Sequence, residues 1–317
     1  MKDLLRTSDL SATDLEHLLR TAAELKRDPW SLGRLLEGRT VVLSFAKPST
    51  RTRVSFETAV ARLGGTPLAI GPSELQTSRG EAPQDTARVL SAYASAIVVR
   101  TFADAELAAF AAEATVPVIN ALTDGHHPCQ SLADLLTLRE RYGHRPVRIT
   151  YVGDGNNVCH SLAEACALAG HHLTVSTPPA FAPDGEVLAA AQATAERHGG
   201  TLSVVEDPAA AVTGAEAVYT DAWLSMGDDE AERAIRQAAF APYRLDAQLL
   251  AHAAPHAVVL HCLPAHRGEE ITGDVLDGSR SAVWDQAANR LPTAQALLAA
   301  LLGGHLTGGR ALVGYES

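Results

Sequence analysis

Nine short apolar segments alternate with helix-patterned stretches along this chain, and that alternation is the strongest limit on its fold. The segments fall at 41–45, 67–70, 96–99, 116–119, 147–152, 172–176, 202–205, 216–220 and 257–261. Each has the length of one strand, and the stretches between them carry apolar residues at helical spacing. Strands joined through helices pair in parallel, so the pattern predicts an α/β protein built on parallel sheets flanked by helices. At 317 residues the chain exceeds what a single core usually supports, and two such domains are expected. A helix from Ser131 to Arg141 stops at Gly143-His144-Arg145-Pro146, and a fresh strand opens at Val147. The expected division is 1–145, 146–290, a C-terminal helix over 291–304 that packs back toward the first domain, and a tail over 305–317. Near the start, Asp9 to Lys26 reads as a helix. Its expected capping box is Thr13-Asp14-Leu15-Glu16, and its buried stripe is Leu15, Leu18, Leu19, Ala22 and Leu25.

Composition narrows the function by exclusion. A net charge of −11 disfavours a nucleic-acid-binding surface while permitting a small basic pocket. Met1-Lys2-Asp3-Leu4-Leu5-Arg6 meets charge too early for a signal peptide, and no apolar run is long enough to span a bilayer. No membrane partner and a cytoplasmic location are therefore expected. Four cysteines form no CxxC pair and read as free thiols. The thirteen histidines show neither zinc-site spacing nor an HExxH motif, so no metal is expected.

Against that acidic background, 38–56 contains no acidic residue at all. Within it, Ser49-Thr50-Arg51-Thr52-Arg53 sits between an apolar strand and a helix whose buried face is Phe56, Ala59, Val60 and Leu63. The unpaired N–H groups at such a helix start favour an anion, above all a phosphate. Arg51 and Arg53 can add forked donors, and Ser49, Thr50 and Thr52 hydroxyls. Other unusual polar residues also follow strands: Arg100, His127 to Gln130, Gly153 to Asn157, Asp221 and Cys262. Open α/β sheets bind ligands just beyond the carboxyl ends of their strands, so these placements together predict one site. Gly153-Asp154-Gly155 also suggests a dinucleotide fingerprint, but position 158 is Val, and the next strand lacks the acidic residue a ribose needs.

These blocks resemble those of the aspartate/ornithine carbamoyltransferases, most closely the ornithine branch, over nearly the whole chain. The resemblance rests on Ser49-Thr50-Arg51-Thr52-Arg53, His127-Pro128-Cys129-Gln130, Gly153-Asp154-Gly155-Asn156-Asn157, Asp221-Ala222-Trp223-Leu224-Ser225-Met226-Gly227 and His261-Cys262-Leu263-Pro264-Ala265. It implies transfer of the carbamoyl group of carbamoyl phosphate to the δ-amine of L-ornithine, giving L-citrulline and phosphate. It implies a carbamoyl phosphate site of Ser49, Thr50, Arg51, Thr52, Gln76, Arg100, His127, Gln130, Cys262, Leu263 and Arg290. It implies an ornithine site of Asn157, Asp221, Ser225 and Met226, with Arg100, His127, Gln130, Asp221 and Cys262 nearest the chemistry. By the same resemblance Lys47 adds positive potential, no cofactor is needed, and the protein forms a homotrimer in which the segment around Gln76 closes a neighbouring subunit's site. Two departures stand beside ligands rather than at them: Ala46, where an acidic residue is common, and Cys129, where an aliphatic residue or Thr is usual.

Overall fold

The computed structural model describes residues 1–76, 80–224 and 230–303. Ser225, Met226 and the expected tail lie outside the described residues. Among the described residues nine strands form two parallel sheets. In the first, β1 (Thr40–Phe45), β2 (Thr66–Ile70), β3 (Ala96–Arg100) and β4 (Val118–Leu122) lie in the order β2-β1-β3-β4. In the second, β5 (Arg148–Val152), β6 (His172–Ser176), β7 (Thr201–Val204), β8 (Ala217–Thr220) and β9 (Val258–His261) lie in the order β7-β6-β5-β8-β9. Both sheets have helices on their faces, and the central strands are accordingly buried almost without interruption. Val41, Leu43, Ala96 and Val98 point into the core shared with the interdomain helices, while Val42, Ile97 and Val99 point to the opposite face. The second sheet repeats the pattern, with Tyr151, Tyr219 and Leu260 on the shared side and Val152, Val218 and Val259 on the other.

Five helices matter most for the site: α1 (Ala12–Arg27), α2 (Thr50–Arg62), α3 (Pro128–Tyr142), α4 (Asn157–Leu168) and α5 (Val283–Leu302). The last, α5, packs against α1, α2 and α3 of the first half and against β9 of the second. The core along this seam is continuous, running from Leu4 and Leu19 through Leu136 to Leu162 and Leu298. Among the described residues no helix is long and apolar enough to cross a membrane.

All nine expected strands are present, with small displacements. The largest is β4, expected at 116–119 and found at Val118–Leu122. There Leu4 of the N-terminal segment joins the ladder, donating to the Val118 carbonyl and accepting from Asn120 N, while the Asn120 amide donates to the Leu5 carbonyl. A polar residue that looked like the end of a strand is thereby satisfied inside one. The expected buried stripe of α1 is correct, but its capping box lies two residues upstream, with Ser11 accepting from Asp14 N. The C-terminal helix begins at Val283 rather than Leu291, with Pro292 inside it and buried Gln286, Asn289 and Arg290 anchoring the turns upstream.

The glycine loop after β5 is closed against its own chain. Gly155 donates to the Phe181 carbonyl, and a Cβ at that position would stand 2.2 Å from Pro183 N. The helix start behind it is occupied by Asn156, whose side chain accepts from Val158 N and Cys159 N. A pyrophosphate has no cradle there, so the fingerprint is a packing device. Gly155→Ala should cost about 2 kcal/mol or more, since backbone cannot yield as a side chain can. Thermal unfolding should show a midpoint several degrees lower, and an unchanged midpoint would contradict the close packing.

Candidate active site

The strand order of each sheet reverses once, between β1 and β3 in the first and between β5 and β8 in the second. A crevice opens beyond the strand ends at such a reversal. In the first half the crevice is lined by Ser49 and the start of α2, which follow β1, and by Arg100, the last residue of β3. In the second it is lined by Gly153 to Asn157 after β5 and by Asp221 after β8. The helix α5 connects the two crevices.

The first-half residues form a cationic pocket. Ser49 occupies the N-cap of α2 without using its hydroxyl as a cap, and the first turn of the helix carries no acid. Arg290, buried on α5, donates to Gln130 Oε1 at 2.6 Å and to Thr52 Oγ1 at 2.9 Å. Arg100 is held through its carbonyl, which accepts from Ala46 N, while its Nε is buried without a protein partner. His127 caps α3, its backbone N–H donating to Ser161 Oγ at 2.7 Å and its ring Nδ1 buried without a partner. Burial, then the charges of Arg290, Arg100 and Arg51, hold the imidazole well below the usual histidine range. Burial, then Arg290 and Arg51, likewise lower Arg100. Burial and the guanidinium groups of three separate elements thus favour the neutral form of one histidine. Unsatisfied buried polar groups are rare in folded proteins, and two in one cationic pocket mark a place for an oxygen-rich anion.

The second-half residues form an acidic counterpart. Asp221 accepts from Cys262 Sγ at 2.7 Å, from Asn156 Nδ2 at 2.8 Å and from its neighbour Ala222 N at 2.8 Å. Burial, reinforced by Asp221, pushes the Cys262 thiol far above its ordinary value, while Arg51 pulls the other way. Cys262 is therefore a protonated donor and not a thiolate nucleophile. Leu263 follows with φ of 59°, a left-handed backbone that is costly for a branched side chain and turns the chain sharply at the strand end. Asp221, His261 and Cys262 could be grouped as metal ligands, their donor atoms lying within 4.8 Å. Both ring nitrogens of His261 are committed, however: Nδ1 accepts from Leu263 N at 2.8 Å and Nε2 faces Glu270 Oε1 at 3.0 Å.

Some expectations change at this level. Arg53 pairs with Glu57 at 2.9 Å on the exposed side of α2 and does not join the pocket. Lys47 faces Asp124 at 3.3 Å and lies over the Phe102 ring. Asn157 donates to the Thr123 carbonyl at 2.7 Å, tying the second half to the first, and its neighbour Asn156 is the residue on Asp221. Gln76 is exposed on the loop after β2, its carbonyl accepting from Glu81 N. Cys129 is packed, its thiol donating to the Asn120 carbonyl, and burial pushes it up to about 12. Asp134 and Gln286 escaped the sequence reading, since both look like ordinary polar positions on amphipathic helices. In the structure Gln286 donates to Asp134 Oδ1 at 2.6 Å and accepts from His261 N at 2.9 Å, spanning the two halves.

A cationic pocket in one half and an acidic pair in the other, joined by α5, define a two-lobed α/β protein built on two parallel sheets. Residues 2–140 match the family domain described as "Aspartate/ornithine carbamoyltransferase, carbamoyl-P binding domain". Residues 145–301 match "Aspartate/ornithine carbamoyltransferase, Asp/Orn binding domain". An ornithine carbamoyltransferase of Acidothermus cellulolyticus is 51% identical over 313 residues, covering 98% of this chain and 99% of the relative. One of Gloeobacter violaceus is 50% identical over 303 residues, covering 95% and 96%. Among solved structures, the ornithine carbamoyltransferase of Pyrococcus furiosus superposes with a TM-score of 0.92 at 47% identity, covering 96% of this chain and 97% of that one. The Thermus thermophilus enzyme gives 0.85 at 40% identity, covering 95% and 99%. The chain belongs to the aspartate/ornithine carbamoyltransferase family.

The buried carboxyl of Asp134 gives a test of this electrostatic arrangement. Burial pushes it up to about 7, against hydrogen bonds from Gln286 and Gln130 and the charge of Arg290 that pull it down. An unfolded Asp releases its proton near ~4, whereas the folded one keeps it to about pH 7. This group's contribution to stability is therefore full below ~pH 4 and is lost as pH rises through about 7. Asp134→Asn should flatten that part of the curve in urea unfolding measured at a series of pH values. An equally steep decline in the variant would contradict the assignment.

Proposed function

We propose that this chain is an ornithine carbamoyltransferase, passing the carbamoyl group of carbamoyl phosphate to the δ-amine of L-ornithine to give L-citrulline and phosphate. The observation that carries the reading is the buried, unpartnered Arg100 Nε and His127 Nδ1 in the half where Arg290 reaches Thr52 and Gln130, with the Asp221–Cys262 pair in the other half. On this reading residues 1–145 bind carbamoyl phosphate and 146–290 bind ornithine, the C-terminal helix joining them. The start of α2, with Ser49, Thr50, Arg51 and Thr52, takes the phosphoryl oxygens, and Arg290 adds charge from behind. Arg100, His127 and Gln130 face the carbamoyl group. Its carbonyl oxygen gains negative charge as the amine attacks, and donors fixed in advance stabilise that charge without reorganising. A neutral imidazole can donate one hydrogen bond there without carrying a proton that the reaction must shed.

Asp221 suits the ammonium of an amino acid, and Asn157, Ser225 and Met226 complete the acceptor's site. A δ-amine with a pKa near ~10 is almost wholly protonated at pH 7, so the site must favour the neutral amine or receive its proton during attack. Asp221 and Cys262, joined at 2.7 Å, and the departing phosphate are the groups placed to take part. The amine forms the new C–N bond as the C–O bond to phosphate breaks. No covalent enzyme intermediate and no cofactor enter this route. The enzyme is expected in the cytoplasm.

A trimer also follows from this reading. Val54, Leu68, Val89 and Tyr93 are exposed apolar side chains on the outer elements of the first half, where the edge strand β2 runs. A neighbour seated there would cover them and bring its Gln76 loop to the cleft. Light scattering should return a mass three times that of the 33.3 kDa chain, or a multiple of it.

A citrulline-forming assay with ornithine, run beside putrescine and other amino-acid acceptors, tests the reaction. Arg51→Ala should reduce turnover by ~10²-fold or more and weaken carbamoyl phosphate binding, since it removes a charged anion donor. Asp221→Ala should fall hardest on ornithine. Near-normal kinetics in the first variant, or unchanged ornithine affinity in the second, would refute the assigned roles.

A further inference from the structure

Gln130 stands between two buried charges that never touch. Its Oε1 accepts from Arg290 Nη1 at 2.6 Å, and its Nε2 donates to Asp134 Oδ1 at 2.8 Å. Arg290 spends its two terminal nitrogens on neutral oxygens, those of Gln130 and Thr52. Asp134, almost fully buried, receives donors from three elements: Gln130 on its own helix, Gln286 on α5, and the Tyr219 hydroxyl on β8 at 3.4 Å. The other ionisable groups facing it are Arg290, Cys166 on α4 and Cys262 after β9.

An amide placed between a guanidinium and a carboxylate has one favourable orientation. Turned over, it would set its NH₂ against the Arg290 donors and its oxygen against the carboxylate, replacing two attractions with two repulsions. A glutamine in a neutral pocket would face no such bias. The remaining N–H and the remaining lone pair of Gln130 are then aimed by the charges behind it.

We propose that Asp134 is a positioning residue of the reaction: it fixes the polarity of the Gln130 amide, and through that amide supplies the counter-charge to Arg290. The proposal rests on the carbamoyl phosphate reading of the pocket. It assigns to a side chain that touches no substrate the control of how one binding group meets the carbamoyl moiety. Because Asp134 also holds Gln286, the same carboxylate ties that orientation to the seam between the halves.

The experiment is a double-mutant cycle on the full chain at pH 8, with Asp134→Asn, Gln130→Ala and the pair. Asparagine keeps the shape and one acceptor but removes the charge. Losing a charged hydrogen-bond partner should raise KM for carbamoyl phosphate and lower kcat by about tenfold each, with KM for ornithine little changed. If Asp134 acts through Gln130, adding Asp134→Asn to Gln130→Ala should change these constants by less than about threefold. Multiplicative losses in the pair, or normal kinetics in Asp134→Asn, would overturn the proposal. Neutron diffraction of the wild-type protein provides a readout that survives a poorly folding variant: NH₂ must face Asp134 and oxygen Arg290, and the reverse would overturn it. Calorimetry with carbamoyl phosphate and the wild-type protein separates the two readings. Failure to bind would sink the substrate assignment while the amide orientation stayed measurable.

Discussion

A guanidinium buried where two domains meet is the constraint on which the rest of this structure depends. Arg290 is nearly inaccessible to water, and a buried charge persists only when its surroundings are arranged around it. Here the arrangement extends in both directions. Toward the cleft, burial and the charges of Arg290, Arg100 and Arg51 together hold His127 well below the usual histidine range. Toward the interior, Gln130 passes its influence to Asp134, and Asp134 is in turn held by Gln286 and Tyr219. One cation therefore links the ligand pocket, the long C-terminal helix and the second sheet.

The topology makes this linkage possible. Each parallel sheet sends its loops from one edge, and each reverses strand order once, so each offers a single crevice. A helix that ran only over one half would leave the two crevices independent. Instead α5 packs on α1, α2 and α3 while Gln286 near its start accepts from His261 on β9. The cationic and acidic walls are thereby tied together by contacts that lie behind them.

Much of this was legible in the sequence because it depends on periodicity and on where polar residues interrupt it. All nine strands, the stripe of α1 and the strand-end positions of Arg100, His127, Asp221 and Cys262 are of that kind. What escaped depends on tertiary partners. Asn120 looked like the end of β4 because nothing local revealed that residues 4 and 5 would satisfy it. The C-terminal helix was expected only from residue 291 because the buried contacts of Gln286, Asn289 and Arg290 upstream of it are long-range. Arg53 seemed equivalent to Arg51 until the helix turned it toward Glu57. Adjacent asparagines could not be told apart by type, and only the loop geometry gives Asn156 to Asp221 and Asn157 to Thr123. Asp134 left no local signal whatever, since its importance lies in what the fold puts beside it.

The central claim is that burial, with the charges of Arg290, Arg100 and Arg51, keeps His127 uncharged, as the proposed anion site requires. Nitrogen-15 NMR of the imidazole in the unliganded protein tests it most directly, followed with added inorganic phosphate. The account predicts a ring that stays neutral well below the ordinary midpoint of about 6.5, with phosphate moving its titration upward. A ring that titrates near ~6.5 and ignores phosphate would contradict it.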